Sequence, residues 1–161
     1  MNIEIKWQKP VPVTHHKRML FDKYSIPESI EDKAGVYFFS RVHGETVEPF
    51  YIGQSNTIRT RLKGHLGSSR ITEVLREVEE IRSVKKGTRY FSFGYLTPSR
   101  GPRDVDAILA LVERYLIRQA LTKGFTLIND RGTKFKTHEI SFMGSSHERQ
   151  LFGKSVEIPV D

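Results

Sequence analysis

The chain has 161 residues, 37% of them apolar, enough for one compact domain with a real core and tight for two. It carries no cysteine, which excludes disulfide scaffolds, thiolate zinc sites and cysteine nucleophiles, and no apolar run approaches the roughly 18 to 20 residues of a membrane span. The formal charge is +7, and the surplus lies mainly between Gly35 and Gly124, because five acids balance five bases in residues 125–161.

Residues 1–33 read as an N-terminal extension. They begin with a strand at Ile3 to Trp7, are interrupted by Pro10 and Pro12, and continue in a short amphipathic piece around Lys17 to Tyr24. The alternation of apolar and polar residues from Met1 to Lys9 is unlike a signal peptide, so a cytoplasmic protein with no membrane partner is the expectation. Gly35 to Ser40 and Phe50 to Gly53 are aromatic and β-branched, with Gly44 and Pro49 between them as turn formers, which predicts an antiparallel hairpin with a long tip.

Ser55 and Asn56 are candidate caps for a helix with Ile58, Leu62 and Leu66 every four residues, ending near Gly67. A second helix is predicted over Ile71 to Lys85, with Val74, Leu75, Val78 and Ile81 on one face. Arg89 to Leu96 alternates as a third strand, and Pro98, Gly101 and Pro102 then break the chain. The strongest helix signal follows, from about Asp104 to Lys123, with Asp104 and Asp106 in its first turn and Gly124 as its stop. Thr126 to Asn129, His138 to Met143 and Val156 to Val160 are short candidate strands. No internal repeat, low-complexity tract or long Gly/Ser linker divides the chain.

The chemistry-bearing residues cluster in the middle. Gly35-Val36-Tyr37 and Tyr51-Ile52-Gly53 place two tyrosines on neighbouring strands of one hairpin, an arrangement that by itself reads more readily as packing than as catalysis. Arg61 and His65 are four residues apart and share a helix face beside the apolar stripe. Glu113 has Leu109, Ala110, Leu116 and Ile117 as its helical neighbours, and a carboxylate on an apolar face is costly unless a cation meets it. That cation is either an arginine (Arg61, Arg114 or Arg118) or a bound Mg²⁺ or Mn²⁺, which take oxygen ligands.

Taken together, these residues resemble the GIY-YIG nuclease family over about Ala34 to Asp130. Beyond the two trios, an arginine stands ten positions after Tyr51, a histidine four further on, a glutamate in Val112-Glu113-Arg114-Tyr115-Leu116-Ile117, and an asparagine in Leu127-Ile128-Asn129. The Phe38 to Phe50 loop is a few residues longer than usual, and Gln54 stands where some members have lysine. The resemblance implies an α+β domain over residues 34–130, a small antiparallel sheet of about three strands flanked by helices. Residues 131–161 are expected to form a C-terminal extension packed on the same domain.

It also implies a metal-dependent endonuclease that hydrolyses DNA phosphodiesters, with RNA not excluded, in a restriction or defence, mobile-element or repair setting. Its catalytic residues would be Tyr37, Tyr51, Arg61, His65, Glu113 and Asn129. Glu113 would hold Mg²⁺ or Mn²⁺, and Arg61 would supply donors to the phosphate. Tyr37, and less readily Tyr51, would be the general base, which requires a phenol pKa lowered by Arg61, the metal or His65, while His65 relays the proton and Asn129 orients.

Phosphate grip is expected from Arg59, Lys63 and Arg70, where no acid intervenes between Glu48 and Glu73, and from Lys85, Lys86, Arg89, Arg100 and Arg103 in two basic loops. His15, His16, His43, His138 and His147 read as surface or structural histidines. Symmetric cutting of a two-fold site would call for a homodimer, and the unmatched ends would serve a larger complex. The competing reading is an inactive nucleic-acid-binding module of the same fold.

Overall fold

The computed structural model describes residues 2–76, 87–98, 104–129, 137–144, 149–150 and 153–159. Lys85, Lys86, Arg100, Arg103 and His147 lie outside the described residues, as does the second half of the helix predicted to reach Lys85. The chain divides into two compact units, Met1–Asp130 and Arg131–Asp161.

The first unit is α+β. Its strands β1 (Ile5–Trp7), β2 (Val11–Pro12), β5 (Gly35–His43), β6 (Thr46–Ser55) and β7 (Thr88–Leu96) form a sheet in the order β1-β7-β5-β6, with β2 also on β7 and every pairing antiparallel. The expected three strands are therefore corrected to five. The two additions are pieces of one edge strand from the N-terminal segment, split around Pro10, because proline has no N–H for the ladder. β3 (Thr14–His15) and β4 (Arg18–Met19) make a small hairpin where an amphipathic piece from Lys17 was expected.

α1 (Ile58–Leu66) realises the predicted periodicity, with Ile58 and Leu62 fully buried. Its cap differs from the expectation. Thr57 is the N-cap and makes no side-chain cap bond, while Asp32, far back in the chain, accepts from the Thr60 amide at 3.0 Å and the Thr60 hydroxyl at 2.7 Å. α2 (Ser69–Leu75) follows at once. α3 (Val105–Thr122) starts at Asp104, whose carboxylate accepts from the Ala107 amide at 3.0 Å, and it packs against β6 and β5.

Strand alternation sends Tyr37 and Phe39 of β5 and Phe91 and Phe93 of β7 to one side of the sheet, paired in register as Tyr37 with Phe93 and Phe39 with Phe91. These aromatics, the α1 and α2 stripes, and Val13, Phe21, Ile26 and Ile30 from the N-terminal segment form the main core. Each such side chain contributes about 1.5–3 kcal/mol by leaving water, so residues 1–33 are an integral part of this core rather than an appendage. A bulge between Phe39 and Ser40 turns Phe50 to the same side, where its ring stacks on Phe39 at 6.2 Å.

Thr126 to Asn129, expected as a strand, is irregular, although the Ile128 amide still donates to the Phe50 carbonyl at 2.8 Å along the β6 edge. The second unit contains the antiparallel pair β8 (Thr137–Ser141) and β9 (Ser155–Pro159). No helix among the described residues is long and apolar enough to cross a membrane.

Candidate active site

Tyr37 is the centre of the site and is only 1% exposed. Its register partner across β5 and β6 is Gly53, and a Cβ at Gly53 would stand 2.5 Å from the Tyr37 hydroxyl and 2.6 Å from the ring carbon that bears it. The glycine of the second trio is therefore the floor on which the tyrosine of the first trio lies. Tyr51, two residues before Gly53 and so on the same side, stacks on Tyr37 with ring centres 6.4 Å apart. Gln54 pairs with Val36 and so alternates to the other side of the sheet, away from both tyrosines.

The helical spacing of Arg61 and His65 brings both side chains onto Tyr37. The Tyr37 hydroxyl lies 2.7 Å from Nε2 of His65 in a buried hydrogen bond, and Nε of Arg61 donates to the same oxygen at 3.3 Å. The His65 ring also packs edge-on to Tyr51 at 5.0 Å. Burial first, then the charge of Arg61, pushes the His65 pKa down to about 4, so the ring is neutral near pH 7. In the tautomer with the proton on Nδ1, Nε2 accepts the hydrogen bond of the Tyr37 hydroxyl, whose oxygen in turn accepts from Arg61.

The expected lowering of the Tyr37 pKa is not what this geometry produces. The hydrogen bond and charge of Arg61 do pull it down, but burial, followed by the Tyr51 phenol, pushes it well above the ordinary value. A free phenolate is therefore disfavoured. Arg61 itself is held more firmly protonated, chiefly by its bond to Tyr37, with Tyr51 adding to the effect.

Glu113 sits half-buried on α3, between the buried Leu109 and Ile117 one turn either way. Desolvation raises its pKa, and the nearby charge of Arg61 pulls the other way. Among the described residues no hydrogen bond or ion pair satisfies this carboxylate, which leaves its oxygens available to a hard cation. The described residues contain no group of three or more His, Cys, Asp or Glu, so a cation on Glu113 would have at most one further such ligand among them. That suits Mg²⁺, which usually keeps several waters and takes phosphate oxygens alongside one or two carboxylates.

Asn129 does not face the tyrosines as a reactive group. Its side-chain amide makes two bonds to the backbone of Ile52, accepting from N at 3.1 Å and donating to O at 2.6 Å, and so fixes the middle of the Tyr51-Ile52-Gly53 trio.

The residues expected to grip phosphate separate into two kinds. Lys63 and Arg70 are exposed, Arg70 also donating to the Ile128 carbonyl. Arg59 and Arg89 are corrected to structural cations. Arg59 donates through Nη1 to the carbonyls of Pro27 (2.8 Å) and Ile30 (2.9 Å) and through Nη2 to that of Ile26 (2.9 Å). Arg89 is fully buried in β7, its guanidinium 5.6 Å above the Phe50 ring, and so presents no charge to solvent.

Sequence reading did not find Asp32 or the role of Arg59, which together tie α1, and hence Arg61 and His65, to the 26–32 loop. No local signal marks either residue, because their partners lie more than 25 positions away in the chain.

No family model, curated protein or solved structure matches this chain.

Proposed function

We propose that the chain is a divalent-metal-dependent endonuclease of the GIY-YIG type that hydrolyses DNA phosphodiesters. The reading is carried by one observation: a buried tyrosine hydroxyl hydrogen-bonded to a buried histidine and to an arginine donor, beside a second tyrosine and an unsatisfied carboxylate. It draws further support from the resemblance of Gly35-Val36-Tyr37, Tyr51-Ile52-Gly53, Arg61, His65, Glu113 and Asn129 to that family.

The arrangement suggests a relay rather than a phenolate base. An attacking water gives a proton to the Tyr37 oxygen as Tyr37 passes its own to Nε2 of His65. The resulting hydroxide bonds to phosphorus as the bond from phosphorus to the leaving oxygen breaks; the leaving oxygen takes up a proton from solvent, and His65 gives its acquired proton back to solvent, which restores the neutral ring. A buried phenol need not carry a negative charge at any point, which removes the penalty that raises its pKa. The incoming phosphate anion neutralises Arg61, the second cause of the low His65 pKa, and so makes the ring a better proton acceptor in the complex. Arg61 also supplies N–H donors to that phosphate. A cation held by Glu113 would place positive charge on the phosphate and on the leaving oxygen.

The test is cleavage of supercoiled plasmid with Mg²⁺ or Mn²⁺ and a chelator control, comparing wild type with Glu113→Ala and Tyr37→Phe. The expected result is metal-dependent nicking that Glu113→Ala abolishes and Tyr37→Phe slows by roughly 10²- to 10⁴-fold, with DNA binding retained. Near wild-type turnover by Tyr37→Phe would remove the relay. Salt-sensitive DNA binding with no cleavage by wild type would make the protein a binding module of this fold.

A further inference from the structure

The outward side of α3 carries a patch that neither the core nor the candidate site uses. Leu111, Arg114, Tyr115 and Arg118 stand at i, i+3, i+4 and i+7, so they lie together on one face of the helix. Leu111 is 51% exposed and Tyr115 59%, while Arg114 is exposed and Arg118 half-buried. The spacing would let Arg114 or Arg118 reach round to Glu113, yet the charge that acts on that carboxyl is Arg61. Among the described residues neither Arg114 nor Arg118 has a hydrogen-bond or ion-pair partner.

Their neighbours at three and four positions along α3 include each other and no acid. Two guanidiniums at i and i+4, with Cβ atoms about 5–6 Å apart, repel each other. An anion seated between them turns that repulsion into two attractions, and the planar fork of arginine matches a phosphate with parallel N–H donors. The exposed Tyr115 ring and the Leu111 side chain flank the pair with apolar surface of the kind that a sugar can cover.

The patch also adjoins the candidate metal ligand. Arg114 follows Glu113 directly, about 100° round the helix and about 1.5 Å along it, and Arg118 lies about 7.5 Å along. A strand whose cleaved phosphate meets Glu113 carries its next phosphates about 3.4 and 6.8 Å further along the duplex axis, within the span of the pair. Two cations expected at phosphates, Arg59 and Arg89, are held inside the fold, so the grip must come from others.

We infer that Arg114 and Arg118 together hold the DNA phosphate adjoining the cleaved one, with Tyr115 and Leu111 against its sugar. The inference rests on the nuclease reading for its choice of DNA and for the place of the cut.

The test is the double variant Arg114→Gln/Arg118→Gln in the full chain. The control is Lys6→Gln/Lys9→Gln, which removes the same charge from two exposed lysines at the β1 edge. Glutamine is a good helix former and the change relieves the repulsion within the pair, so the α3 variant should melt at or above the wild-type temperature. Binding of a short duplex is read by fluorescence anisotropy in the presence of a chelator, where no cutting intervenes. The α3 variant should bind roughly tenfold more weakly at low salt, with the slope of log affinity against log salt reduced by about 1, and the control should stay within about twofold of wild type.

Unchanged binding by the α3 variant, or an equal loss in the control, would overturn the inference even if the wild type cuts DNA normally. So would a concentration-dependent dimer that the variant loses while its DNA binding stays intact, since the patch would then belong to a second copy. On a duplex whose cut has been mapped, an uncharged methylphosphonate at the neighbouring phosphate should weaken the wild type and leave the variant nearly unaffected; equal weakening of both would overturn the placement. Duplex binding that depends on the pair, in a wild type that cuts no DNA under any metal condition, would uphold the grip and sink the nuclease reading instead.

Discussion

Replacing His65 by glutamine isolates the proton acceptor on which the relay depends. In the folded protein the His65 pKa is about 4, and the ring is 8% exposed, so solvent screens it little. An unfolded histidine titrates near 6.5. Above that pH the ring is neutral in both states and its titration contributes nothing. Between about 6.5 and 4 only the unfolded chain takes the proton, so stability falls as pH drops, and below about 4 the loss levels off. At 1.36 kcal/mol per unit over roughly 2.5 units, the wild type should lose about 3 kcal/mol across this window through His65 alone.

Urea unfolding of wild type and His65→Gln at pH values spanning about 4 to 7.5 reads this directly, since the pH dependence of the difference between them isolates the histidine. The ring titration followed by NMR gives the folded pKa itself. Parallel loss of stability in the two proteins, or a ring that titrates near its ordinary value, would refute the claim that His65 is held neutral as an acceptor. The relay would then lose its terminus.

Gly53→Ala should be destabilising by about 1–3 kcal/mol and should lower cleavage, because the new Cβ meets a Tyr37 hydroxyl that cannot retreat without breaking its 2.7 Å bond to His65; chemical denaturation and plasmid nicking check both effects. Arg59→Ala removes three carbonyl partners at once and should cost about 3 kcal/mol, lowering Tm by roughly 6 to 12 °C in calorimetry. If Arg59 were a phosphate contact instead, its loss would spare Tm and weaken DNA binding.

The parts of the site legible from the residues were those set by short periods. A spacing of four placed Arg61 and His65 on one face of α1, and the same spacing put Glu113 in line with Leu109 and Ile117 on α3. Alternation within β5 and β6 put Tyr37 and Tyr51 on one side, and the turn formers between them joined the strands in register. These relations follow from helix and strand geometry alone, so tertiary packing did not need to be known.

What depends on long-range partners was invisible in the same residues. Arg59 and Arg89 look like any basic side chain in the sequence, yet one is consumed by the carbonyls of Ile26, Pro27 and Ile30 and the other is fully buried in β7 with its guanidinium over the Phe50 ring. The N-terminal segment joins the sheet edge only because β7 offers it an open ladder, which no pattern within residues 1–33 reveals. The general-base role implied by the resemblance requires a lowered Tyr37 pKa, and the opposite shift was not legible in the sequence for a related reason. The arginine that lowers a phenol pKa is a named neighbour, whereas the burial that raises it is the sum of everything packed around the ring. The sequence by itself determined which residues could meet across a turn of helix or a pair of strands. The tertiary structure decided which of them lost contact with water, and thereby which charges remain free to meet a phosphate.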